Sequence, residues 1–313
     1  MLFAALAIGL KLNAEAALTG YCDQKGLPRP SAFKHLLISA YDGKKSFWID
    51  PSLEVAPFGV IPPNSGKCVF VLNRGFYSLS STGHEWGKLE TEPPFPSTQS
   101  VSIKAVIDSD GALKAKVHYA MRGDNELLLR VAFHQSPREK WNEVAQLLAL
   151  SDGFRGKIEN VSAYDPYATK DPFTVEYEIS QPKFVDWSKK PVRIPAILPL
   201  VGLPDPPAKS APIELGTPLD VNTTVSLHLP PGTTVESPAD TAVDRDYAKF
   251  SSTYAATGNT LTAARHIQFL LRQLPADRAT DYNTFLRAVQ NDQSQRFTLF
   301  RPDSETIPAK PKP

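Results

Sequence analysis

The chain has 313 residues, 42% hydrophobic and 21% charged, the balance of a folded protein long enough for two or three cores. Its 34 basic and 33 acidic residues leave a formal charge of +1, so no overall field draws it to nucleic acid or to an anionic membrane. Two cysteines, Cys22 and Cys68, are too few for a disulfide framework, and 29 prolines favour β-rich architecture with many rigid connections.

Residues 2–10 (LFAALAIGL) form an apolar run with no positive charge ahead of it, unlike a signal peptide. The run is also far short of the ~20 residues that cross a bilayer as a helix. It reads as a core helix ending near Asn13, followed by a strand over 14–18. Cys22 comes next, ahead of the Gly26-Leu27-Pro28 turn. Residues 33–38 and 47–49 read as two strands, joined through 41–45 with Asp42-Gly43 supplying the turn chemistry. The hairpin places His35 in its first strand and Asp50 at the end of its second. Such neighbours can hold a carboxylate ~3 Å from an imidazole, which it then orients as a base for a third group. The competing reading is a surface histidine and an aspartate that caps local backbone before Pro51. A loop over 57–63, a strand over 67–72 and a proline-containing linker over 89–96 complete this part, with Cys68 read as a small buried hydrophobe.

The stretch 97–185 predicts strands over 100–108, 112–121 and 126–133, turning at Asp110-Gly111 and at 122–125. Ser136-Pro137-Arg138-Glu139 has the form of a capping box with its preferred Pro. Trp141, Val144, Ala145 and Leu148 continue on one helical face, and Gly153 is placed to stop it. Strands over 157–163 and 173–179 follow. His118 and His134 have no metal-like spacing around them and read as structural or solvent-facing. From 186 to 300 a proline belt (Pro191 to Pro218) lies over a core through Ile194, Ile197 and Leu198, and strands resume at 223. Residues 246–256 and 260–271 predict a long hairpin around Thr257-Gly258-Asn259, with His266 on the wet face. Tyr282, Phe285, Leu286 and Val289 mark a helix, 296–300 a last strand, and 301–313 a disordered tail.

The run FKHLLISAYDGKKSFWIDPS, followed by APFGVIP, resembles the second half of a bacterial transglutaminase-like core, of the kind set between β-rich domains. Phe33-Lys34-His35 matches the strand motif of that family's catalytic histidine, with Lys34 where Asn is commoner. Trp48-Ile49-Asp50-Pro51 matches the motif of its aspartate. The resemblance continues in order and length through YAKFSSTYAATGNTLTAARHIQFLLRQLP to SQRFTLF. It implies an α+β chain: a truncated papain-like core over 1–90, then mainly antiparallel, β-sandwich-like regions over 97–185 and 186–300. It also implies Cys-His-Asp chemistry with His35 as base and Asp50 as its orienter, a protein or peptide substrate, no cofactor and no metal, and a periplasmic or secreted setting. The family's nucleophile stands at the start of the apolar helix, a position falling before Met1. The chain as written is therefore expected to be inactive and only marginally ordered over 1–90, Cys22 being a remote substitute. The alternative function is a non-catalytic binding or scaffolding protein that uses its β-rich regions.

Overall fold

The structure, a computed structural model, describes residues 13–21, 33–41, 44–61, 67–72, 86–89, 94–207 and 211–301. Runs rich in β-branched and aromatic residues, cut by Gly, Pro and Asp, make the strands of a first sheet. These are β1 (Asn13–Tyr21), β2 (Phe33–Tyr41), β3 (Ser46–Ile49), β4 (Lys67–Leu72) and β5 (Trp86–Lys88). They lie in the order β3-β2-β1-β4-β5, every neighbour antiparallel. Alternation sends Ala17, Leu37 and Val69 to one face, where Trp48 packs, and Ala14, Ile38 and Ala40 to the other, with Ile49.

This architecture corrects the expectation of an α+β chain led by a papain-like core. Among the described residues strand far exceeds helix, and the three α-helices all lie within 124–294. The motifs around His35 and Asp50 fix two strands and a turn; they do not fix what packs on the sheet. The helix expected over 2–10 and the tail after Arg301 lie outside the described residues.

The remaining elements are β6 (Thr98–Ile107), β7 (Leu113–Arg122), α1 (Asp124–Gln135), α2 (Trp141–Ser151), β8 (Lys157–Ala163) and β9 (Phe173–Gln181). They continue with β10 (Val192–Pro195), β11 (Ile213–Glu214), β12 (Leu219–His228), β13 (Thr234–Glu236), β14 (Thr241–Asp244) and β15 (Ala248–Thr257). The chain closes on β16 (Thr260–Phe269), β17 (Gln273–Leu274), α3 (Ala279–Ser294) and β18 (Arg296–Phe300). Eight of the strands form one sheet in the order β14-β15-β16-β12-β6-β7-β9-β8, so strands from 97–185 and from 186–300 are hydrogen-bonded neighbours. The sheet is mixed, because β12 runs parallel to β6 from the Asp220–Thr98 pair to the His228–Val106 pair. From Val101 onward in β6, and along β7, every second side chain is buried and those between are exposed or half-buried, as one covered face requires. In place of the expected sandwich of antiparallel sheets, that face is covered by helices and by the three-stranded sheet β10-β18-β13. Phe133 of α1, Ala145 and Ala149 of α2, and Phe297 and Leu299 of β18 join one core with Val117, Tyr119 and Tyr177. Tyr282, Phe285 and Val289 of α3 form a second core with Phe250 and Ile267.

Two local readings are revised. Residues 126–133 are helical, not extended: Leu127, Arg130 and Phe133 recur at one-face spacing and are buried, and the Glu126 carboxylate accepts the N–H of Gly123 at 3.2 Å. Arg130 is fully buried against Glu126 and donates to the carbonyls of Asp165, Pro166, Ala168 and Asp171, a loop that a strand over 126–133 would not reach. Ser136 does not N-cap a helix but ends α1 as its C-cap, and a one-turn helix after Pro137 leads into α2.

Candidate functional site

His35 stands in β2 opposite Thr19 of β1, and Asp50 follows directly on β3. The register pairs Ile38 with Ile49 and Ser39 with Trp48, so continuing the hairpin brings Asp50 opposite Leu37. Leu37 and His35 are two residues apart and share a face, which makes Asp50 the diagonal neighbour of His35. Nε2 of His35 lies 2.6 Å from Oδ2 of Asp50. The Asp50 side chain is 1% exposed and that of His35 38% exposed, so the carboxylate is sealed while the imidazole opens to solvent. The other carboxylate oxygen, Oδ1, accepts the backbone N–H of Ser52 at 3.0 Å and its hydroxyl at 2.6 Å. The Leu53 N–H donates to the Asp50 carbonyl at 3.2 Å, closing the turn through Pro51. The two readings of Asp50 are thus compatible: one oxygen meets the histidine and the other caps the turn.

With Nε2–H given to the carboxylate, Nδ1 is the ring nitrogen free to accept a proton. Thr19, buried beneath the histidine, offers its hydroxyl to the His35 carbonyl at 3.5 Å. Sequence reasoning passed over Ser52; its position two residues after an aspartate is the signal of a side-chain-capped turn. It also passed over Glu54, whose carboxylate lies 3.6 Å from Nε2 of His134 and 3.5 Å from the hydroxyl of Tyr167. His134 and Tyr167 meet edge to face, so the Asp50 turn is tied to α1 and to the loop before β9.

The remaining described candidates lie elsewhere. Cys22 lies outside the described residues, and Cys68 is on β4 opposite Gly20 of β1. His118 lies 3.9 Å from Glu176 on the wet face of the large sheet, and His266 lies 3.0 Å from Asp220. No group of three metal-liganding side chains occurs among the described residues. No helix among them is long and apolar enough to cross a membrane.

The sequence over 204–299 matches a family model described as a "Domain of Unknown Function with solved-structure structure (DUF3858)". No curated protein matches the chain. A crystal structure of a "putative protease" from Parabacteroides distasonis is similar at 11% identity and a TM-score of 0.45, over 95% of this chain and 42% of that one. The chain therefore spans less than half the length of that protein.

Proposed function

We propose that His35 and Asp50 are the base and the orienting carboxylate of a Cys-His-Asp acyl-transfer site of the transglutaminase or protease type. Its substrate is a glutaminyl or peptide carbonyl of a protein or peptide. The observation that carries this reading is the 2.6 Å contact between an open imidazole and a sealed carboxylate, itself held by two donors from Ser52. Asp50 fixes the tautomer that leaves the Nδ1 lone pair ready to take a thiol proton. As that proton arrives the ring becomes cationic, and the adjacent carboxylate balances the charge without reorganising. The thiolate then attacks the carbonyl carbon. When the tetrahedral intermediate collapses, Nδ1–H gives the proton to the departing amine, and water or a second amine releases the acyl group by the reverse sequence. The share of this chain is to hold, orient and move that proton. The nucleophile is left unassigned.

The test compares residues 1–313 with a polypeptide extended by the in-frame coding sequence before Met1, assayed for hydrolysis of, and amine incorporation into, a glutaminyl peptide. Activity is expected in a polypeptide that supplies the nucleophile. There His35→Ala should reduce it by roughly 10²–10⁴-fold, and Asp50→Asn should reduce it through loss of the tautomer lock. Undiminished activity with His35→Ala overturns the assignment. A longer polypeptide that is inert yet still binds the peptide favours the non-catalytic reading instead.

A further inference from the structure

The helix pair α1 and α2 stands over the β7-β9-β8 side of the large sheet and leaves a cleft of about 610 Å³ between them. Met121 forms part of its floor, and Leu129, Val144 and Leu148 line its walls. At its mouth Leu128 and Leu147, one from each helix, are 64% and 69% exposed. Apolar surface turned to water on both lips of one concavity marks a place that something apolar covers. The volume lies within the ~300–1,000 Å³ usual for small-molecule sites.

One group in this cleft does not fit a purely apolar ligand. Asp152, just past the end of α2, is the residue with a carboxyl group among the described residues that line it. Its main chain is anchored on the opposite side, where its carbonyl accepts the Leu200 N–H at 3.1 Å. Its side chain turns to the sheet, and Oδ2 accepts the hydroxyl of Tyr119, a residue 1% exposed and stacked on Tyr177. The second oxygen, Oδ1, has no hydrogen-bond partner among the described residues. Burial pushes this carboxyl up to about 6, and the Tyr119 hydrogen bond compensates the charged form only in part. The Tyr177 hydroxyl behind it is buried and has no hydrogen-bond partner among the described residues.

We propose that this cleft binds a small amphiphilic amine, its ammonium group against Oδ1 of Asp152 and its hydrocarbon body along the leucines of α1 and α2. An ionised carboxyl amid apolar walls is stabilised by a cationic donor far more than by a neutral one, and it repels an anion. The walls reward chain length. The site is built from residues 99–152 and is independent of the His35–Asp50 reading.

The experiment is calorimetric titration of the full chain at pH 7.5 with n-hexylamine, n-hexanol and hexanoate. Hexylamine should bind at least about tenfold more tightly than hexanol, and hexanoate should not bind. Extending the amine toward octylamine should tighten binding by about fourfold per methylene until the cleft is filled. Asp152→Asn should remove the preference for amine over alcohol while leaving hexanol binding in place. Leu147→Ser, at an exposed position where folding is not at risk, should weaken amine and alcohol alike. Equal affinity for hexylamine and hexanol in the wild type, binding of hexanoate, or binding of none of the three overturns the proposal without recourse to a variant.

Discussion

Replacing Arg130 with methionine should unfold this protein more readily than almost any other single change in α1. The guanidinium and the Glu126 carboxylate are both fully buried, with Nη2 2.8 Å and Nε 2.9 Å from the same oxygen. The same side chain donates to the carbonyls of Asp165, Pro166, Ala168 and Asp171 at 2.7–3.2 Å and lies over the Phe173 ring. Removing one member of a buried pair costs about 3–5 kcal/mol, because the other charge stays buried without its partner. Arg122, 3.2 Å from the same Glu126 oxygen, keeps part of that charge balanced and argues for the lower end. Four carbonyls lose their donors at the same time, although solvent can reach this loop to replace some of them. The expected loss is about 3 kcal/mol, a large fraction of the ~5–15 kcal/mol that holds a typical domain. Urea unfolding followed by circular dichroism measures it directly. Arg130→Met combined with Glu126→Gln should lose less than Arg130→Met alone, since no fully buried charge is left without its partner. Arg122, which loses the carboxylate as well, is partly exposed and still donates to the Thr169 and Lys170 carbonyls. A loss below about 1 kcal/mol for Arg130→Met, or a double variant as unstable as the sum of its parts, would refute the reasoning.

Asp152 gives a pH signature of its own. Burial raises its carboxyl from an ordinary 3.8 to about 6, so the folded chain binds a proton more tightly than the unfolded one. Its contribution is therefore most favourable below about pH 4 and is lost as pH rises through 6, by up to about 3 kcal/mol. Asp152→Asn should gain on the wild type by that amount between pH 4 and 8 in paired urea titrations, and a gap that does not move with pH counts against it. Two glycines with positive φ should behave differently. At Gly111 a Cβ would stand 2.0 Å from the Val185 carbonyl oxygen, so Gly111→Ala should cost more than the roughly 1 kcal/mol of backbone strain alone. At Gly258 a Cβ meets open space, so Gly258→Ala should cost about 1 kcal/mol; thermal melts of both variants compare them directly.

Much of the local structure is written in the sequence. Moderate alternation over 100–108 and a strand pattern over 112–121 give strands with one buried face, and Gly258-Asn259 between two long runs gives the β15–β16 hairpin, paired from Ala248–Phe269 to Thr257–Thr260. The approach of His35 and Asp50 was also legible, because a period of two and a short turn suffice to put both side chains on one face. Tertiary structure decided the rest. Leu127, Leu128 and Leu129 make a run that suits a buried strand as well as a helix. The choice fell to Glu126 and Arg130, whose buried pair needs the carbonyls of residues 165–171. The parallel contact of β12 with β6 joins segments more than a hundred residues apart, and no local pattern announces it. The same limit explains why the motifs around His35 suggested a papain-like core that the described residues do not form. A motif reports the atoms that must meet, whereas the layers packed around them are settled by surfaces far away in the chain.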